Sequence, residues 1–287
     1  MERMTVAVVQ YAWAGSREAM IEVVRGLVAE AAGRGAALVC VPELSLSPYF
    51  PITTDPAGLV WAEPALGGDS DRVFGALART HGVSIISSIV ERTLDEYSGV
   101  ERIYDTAVLH RPDGVIGGVT RKVHIPSGEG YHEDHFFQGG DSYPVHRIGD
   151  LSVAAPTCYD QWFPELARIY AMNGAEFVFY PTAIGSEPSA PDIDTQDAWQ
   201  IMMRAHAIAN GLYVAAANRV GVEQGQSFYG GSFICNPMGQ MMAEAGRDST
   251  EVITAELDPE LFARWRGLFP LLHQRMPARY ARLLETT

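Results

Sequence analysis

The 287-residue sequence predicts an α/β protein, and three observations carry that prediction. Short apolar runs of strand character alternate with segments whose apolar residues recur at helical spacing. The first alternation, residues 5–41, reads as a complete βαβ unit. Two turns with hairpin chemistry, Arg111-Pro112-Asp113-Gly114 and Asn236-Pro237-Met238-Gly239, interrupt the alternation, so the sheets are expected to be mixed, with helices layered outside them.

Taken in order, residues 5–10 form an apolar strand, and Ser16 can cap a helix carrying Met20, Val23, Val24, Leu27, Val28 and Ala31 on one face. Gly33 and Gly35 end that helix, and 37–41 is a second strand closed by Pro42-Glu43. A Pro-rich loop runs to Gly68. A helix then starts at Asp69 or Ser70, with Val73, Phe74, Leu77 and Ala78 aligned, followed by a strand at 84–90 and a loop at 94–99. Strands at 102–110 and 115–120 flank the first hairpin turn. Residues 121–141 are polar, aromatic and Gly-rich; a loop of that length is ordinarily functional or disordered, and its aromatics argue against disorder. Strands at 143–148 and 151–154 meet at Gly149-Asp150. Pro164 opens a helix to Asn173 with Gly174 as its stop. A strand at 177–180, a loop at 182–196, a helix at 197–210 and a strand at 213–218 follow. Strands at 232–235, 240–243 and 252–256 precede a final helix begun by Asp258-Pro259. No repeat, low-complexity run or linker divides the chain, so one domain spanning 1–287 is expected.

The net charge of −14 makes nucleic acid and anionic membrane poor partners and weakly favours a cationic or neutral small ligand. Cys40, Cys158 and Cys235 form no disulfide framework, and residues 1–4 run straight into a strand, so reduced thiols and a cytoplasmic protein are expected. No apolar run reaches membrane-spanning length.

Three strand-to-loop junctions each deliver one reactive residue: Glu43, Lys122 and Cys158. Cys158 lies between the strand 151–154 and the helix opened by Pro164. A helix N-terminus and a nearby cation there would lower the thiol pKa. A nucleophilic thiol needs a base for its proton and a cation or N–H donors for the oxyanion, and Glu, Lys and Cys can fill those roles. Taken singly, each is as readily a solvated loop end, a surface charge or a buried core thiol.

The strings Val41-Pro42-Glu43, Arg121-Lys122-Val123-His124-Ile125-Pro126 and Thr157-Cys158-Tyr159-Asp160, in this order, resemble the three motifs of the nitrilase superfamily of carbon–nitrogen hydrolases. Ala217-Asn218-Arg219-Val220-Gly221 and Gly230-Gly231-Ser232 extend the resemblance over nearly the whole chain. It implies a four-layer αββα sandwich with two mixed sheets. It also implies a homodimer or higher homo-oligomer, with the tail from about Phe269 expected against a partner subunit. By the same resemblance Cys158 is the nucleophile and Glu43 the general base. Lys122 and the Tyr159 N–H hold the oxyanion, and Glu133 is a second glutamate beside the triad, with Glu129 as the alternative.

Within that family the strings 158–165 and 180–188 are similar to those of the N-carbamoylputrescine amidase branch, with Tyr159 where that branch usually has tryptophan. The implied reaction cleaves the ureido C–N bond of an N-carbamoyl amine. N-carbamoyl-β-amino acids, aliphatic amides and nitriles are the alternative substrates. Gln161-Trp162 stands where a carboxylate-binding Arg is common among relatives, and Glu187 lies in a loop expected to line the pocket, where it would attract an ammonium tail. Tyr159, Trp162, Glu187, Tyr131, His132 and Thr182 are the expected substrate-binding residues. His124, His132 and His135 cluster with Glu133 and Asp134, but their spacing fits no standard zinc pattern. No phosphate loop or dinucleotide fingerprint is present, so no metal or cofactor is expected.

Overall fold

The computed structural model describes residues 1–95 and 98–285; of the loop expected at 94–99, positions 96 and 97 lie outside the described residues. The strands are β1 (Met4–Ala12), β2 (Leu38–Cys40), β3 (Ser84–Leu94), β4 (Glu101–His110), β5 (Ile116–Arg121), β6 (His146–Ile148), β7 (Leu151–Ala154) and β8 (Phe177–Pro181). They continue as β9 (Tyr213–Ala217), β10 (Arg219–Glu223), β11 (Gln226–Tyr229), β12 (Phe233–Cys235), β13 (Met241–Glu244) and β14 (Glu251–Leu257). The helices are α1 (Arg17–Gly33), α2 (Asp69–His81), α3 (Pro164–Met172), α4 (Gln196–Asn210) and α5 (Pro259–Leu268). One sheet runs β11-β10-β1-β2-β3-β4-β5 with β14 also on β1, and the other runs β13-β12-β9-β8-β7-β6.

Alternation along the strands builds the layers. Val6 and Val8 of β1, Leu38 and Cys40 of β2 and Ile86 of β3 meet Val153, Phe177, Phe179, Tyr213 and Ala215 of the other sheet. The residues between them, Ala7, Val9, Val39 and Ile85, pack under Met20, Val24, Val28, Phe74 and Leu77 of α1 and α2. On the far side Val178, Tyr180, Val214 and Ala216 pack under Leu166, Tyr170, Trp199 and Met203 of α3 and α4. Strands covered on both faces need continuous apolar runs, which is why they stand out in the sequence. The result is an αββα sandwich with two mixed sheets.

The helix ends follow local chemistry. Ser16 Oγ accepts from the Ala19 N–H at 3.2 Å, Asp258 caps α5 through the Glu260 N–H at 2.9 Å, and Gly211 closes α4 at φ 62°. Two features depart from the sequence reading. β3 continues to Leu94 because β4 pairs with it as far as Leu94↔Glu101. The β10–β11 hairpin was not anticipated: its two-residue turn uses Gln224 at φ 48° and Gly225 at φ 91°, and Gln-Gly is a weak signal beside Asn-Gly. The tail lies along its own α3 and α4, where Arg275, Tyr280, Leu283 and Leu284 share a groove with Arg168, Met172 and His206. Among the described residues no helix is long and apolar enough to cross a membrane.

Candidate active site

Four segments converge at one end of the sandwich. Beyond β2 the chain turns sharply at Leu44, which takes φ 48° without being glycine, a strained conformation that its neighbours must enforce. They do so from two sides. Ser88 Oγ accepts the Leu44 N–H at 2.9 Å. The Arg219 guanidinium, buried at the start of β10, donates to the carbonyls of Glu43, Leu44 and Ser47 at 3.0, 2.7 and 2.7 Å. Glu223 answers the arginine charge at 2.8 Å. Glu43 is thereby fixed with no exposed surface.

Lys122 follows β5. Its N–H donates to the Asp105 carbonyl of β4 at 2.9 Å, and its carbonyl accepts the Gly140 N–H at 2.7 Å. The ammonium donates to Glu43 Oε1 at 2.7 Å and Glu133 Oε2 at 2.6 Å, and Asp105 Oδ2 stands 3.6 Å away. Glu133 begins a single 3₁₀ turn in the long loop and accepts the Tyr49 hydroxyl on Oε1 at 2.7 Å.

Cys158 follows β7 and opens a five-residue 3₁₀ turn, Cys158–Trp162, at a strained φ of 42°. Asp160 in that turn is fully buried and gathers four donors. These are the N–H groups of Thr157, Val123 and His124 at 3.2, 3.2 and 2.8 Å, and His124 Nδ1 at 2.8 Å. One carboxylate thus ties the segment after Lys122 to the turn of Cys158. The His124 ring is stacked on Phe163 with centroids 3.6 Å apart. Cys158 Sγ lies 4.0 Å from the Ala183 carbonyl.

Burial dominates the electrostatics. It pushes the Cys158 thiol well above its ordinary pKa; Glu43 adds to this and Lys122 opposes it. The sequence reading expected a lowered pKa. The correction has a physical cause: a single 3₁₀ turn supplies little dipole, and the thiol is desolvated beside carboxylates. Burial likewise pushes Glu43 well above the carboxylate range against the pull of Lys122, with Asp105 and Glu133 adding to the rise. For Lys122 burial works downward, but Glu133 and Glu43 outweigh it and hold the ammonium charged. A neutral thiol beside a buried carboxylate and a persistent cation suits proton transfer at the moment of attack, rather than a standing thiolate.

Cys158 and Glu133 open onto a cleft of about 230 Å³, whose walls include Tyr131, Tyr159, Trp162, Ile184, Glu129, Glu187 and Ser189. The cleft brings together Tyr159, Trp162, Glu187 and Tyr131 from the expected substrate-binding set. Thr182 and His132 are not among its lining residues. Thr182 is fully buried and turns its hydroxyl to the Tyr180 carbonyl at 3.1 Å. His132 meets His135 edge to face at 5.7 Å. Tyr131 is fixed by the Gly185 N–H at 3.0 Å and by Gln226 Nε2 at 2.8 Å. Gly185 has no alternative there, because a Cβ would run into the Ser227 carbonyl.

Among the described residues, the one cluster that could hold a metal is Glu43, Asp105 and Glu133, with oxygens within 4.8 Å of one another, and the Lys122 ammonium already bonds two of the three. Sequence reasoning gave no individual role to three buried contributors: Asp105, Asp160 and Arg219. The available signals were that Asp160 and Arg219 lie within the motif strings and that Asp105 is an acidic residue inside a predicted strand.

An αββα sandwich with a buried thiol, carboxylates and an ammonium at one cleft is an arrangement suited to acyl transfer through a thiol. The carbon–nitrogen hydrolase family model matches residues 5–267, and the chain belongs to that family, hydrolases of carbon–nitrogen bonds other than peptide bonds. It is 33% identical to a citrullinase of Francisella tularensis, covering 99% of both chains. It is 34% identical to an N-carbamoylputrescine amidase of Solanum tuberosum, covering 98% of this chain and 95% of that one. A crystal structure of a carbon–nitrogen hydrolase from Helicobacter pylori G27 superposes with a TM-score of 0.90 at 33% identity, over 99% of each chain.

Proposed function

We propose that the protein cleaves the ureido group of an N-carbamoyl amine with a cationic tail, N-carbamoylputrescine being the best fit. The observation that carries this reading is the wall of the cleft. Glu129 and Glu187 stand at it together with Glu133, and no Lys, Arg or His is among its lining residues. A carboxylate-tailed substrate calls for an arginine or lysine; an ammonium tail calls for what is present. Citrulline, the substrate implied by one relative's name, carries both charges and would leave its carboxylate without a partner here.

In this scheme Glu43 takes the Cys158 proton as sulfur attacks the ureido carbon. The oxyanion forms beside Lys122 and the Tyr159 N–H. Glu133, hydrogen-bonded to Lys122 and Tyr49, keeps the ammonium in place. The carbon–nitrogen bond breaks with protonation of the leaving nitrogen, leaving a thiocarbamate on sulfur. Glu43 then activates water to release it, giving the amine, ammonia and carbon dioxide. The free, buried Cys40 and Cys235 accord with a reducing cytoplasm.

A brief pulse of N-carbamoylputrescine followed by intact-protein mass spectrometry tests the reading. Ammonia release and an adduct confined to Cys158 are expected. Turnover of simple amides with none of any ureido compound would replace the reading with an amidase.

A further inference from the structure

The charges at the floor of the cleft do not balance. Glu43, Asp105 and Glu133 present carboxylate oxygens within 4.8 Å of one another, all three residues are buried, and Lys122 is the one cation bonded among them. Ionised throughout, the cluster would carry a surplus of two negative charges out of water, at a cost proteins avoid by keeping a group neutral. The hydrogen bonds show where a proton fits. Both Glu133 oxygens have donors, Lys122 and Tyr49. Glu43 Oε1 has Lys122, and Asp105 Oδ1 has the Ser88 hydroxyl at 2.9 Å. Among the described residues, Glu43 Oε2 and Asp105 Oδ2 are the two buried carboxylate oxygens left without a donor, on carboxyl groups that belong to the same cluster.

We propose that Asp105 is a positioning residue of this centre: it holds one proton in common with Glu43 and so sets the pH at which Glu43 can act. The inference rests on the reading of Glu43 as the base. The groups facing the pair are Ser88 from β3, Lys122 after β5, Glu133 from the long loop and Cys158. The neighbouring charges are spent elsewhere: Glu91 and Arg121 form a two-pronged pair at 2.8 Å, and Arg219 holds Glu223 and backbone carbonyls. The shared proton gives Glu43 a donor on Oε2 while Oε1 stays on the ammonium, fixing both edges of its carboxylate. When Cys158 gives up its proton, the S–H bond breaks, an O–H bond forms on Glu43, and the negative charge moves from the carboxylate pair to sulfur.

Asp105→Asn separates this from a packing role, because an amide keeps the shape and can donate permanently but cannot be charged. The readout is the rate at which iodoacetamide alkylates Cys158, located by peptide mass spectrometry, as a function of pH; it needs no substrate. In wild type the rate falls on the acid side as Glu43 is protonated. In D105N the fall moves to lower pH by about one unit or more, because the carboxylate that raised Glu43 is gone. A D105N profile that overlays wild type, while E43Q abolishes the acid fall, overturns the role of Asp105 alone. An E43Q profile that overlays wild type overturns the base reading and this inference together. Should D105N not fold, infrared spectra of wild type with isotopically labelled carboxyl groups decide. A protonated carboxylic acid band persisting near neutral pH is expected, and its absence overturns the proposal.

Discussion

The floor and the mouth of the cleft are built on opposite plans. At the floor, Glu43, Lys122, Glu133 and Asp105 are buried, and each is fixed by strands or by a clamp such as Arg219. At the mouth, Glu129, Glu187 and Ser189 sit on loops open to water, with Tyr131 as their firmest anchor. The floor is a desolvated, tightly bonded charge cluster, while the mouth is a solvated rim carrying carboxylates. Two relatives at nearly equal identity carry different substrate names.

The comparison can be broken most severely at the sulfur. Cys158→Ala should reduce kcat by on the order of 10⁴-fold or more while leaving the far-UV circular dichroism unchanged; retained turnover would place the chemistry elsewhere. Next in size is the strut between the two floor segments. Asp160→Ala leaves four donors without their acceptor and should cost about 2–4 kcal/mol in urea unfolding, together with a lower kcat. Unfolding that matches wild type would show that the segments after Lys122 and at Cys158 hold without it. The smallest effect belongs to the mouth: Glu187→Gln should raise KM for N-carbamoylputrescine about three- to tenfold with kcat unchanged, as expected for a partly exposed charge pair. Equal KM values for both proteins would remove Glu187 from the tail site.

The same contrast explains what was legible in the sequence. Strands buried on both faces write themselves as apolar runs, so most of the sandwich was readable, and the β10–β11 hairpin was missed where a Gln-Gly turn gave little signal. Glu43, Lys122, Cys158 and Glu133 were reachable through local strings, and the structure brings all four together. Asp105 lies outside those strings and Asp160 lies inside one without its role being readable, because their contribution is to bond backbone and carboxyl groups distant in sequence, which no local pattern encodes. Thr182 and His132 stand outside the lining of the cleft for a related reason. Position on a loop near the cleft does not say which way a side chain turns, and Thr182 turns inward to the backbone of β8.

The pairing of β1 has a consequence for how the chain reaches this state. Its free edge is completed by β14, from Met4↔Leu257 to Gln10↔Glu251. β1 therefore waits for a strand far along the chain, and the emerging polypeptide must shield an unsatisfied apolar ribbon until β14 has been made. Aggregation during expression should consequently respond more to changes in β14 than to changes at the surface of the mature protein.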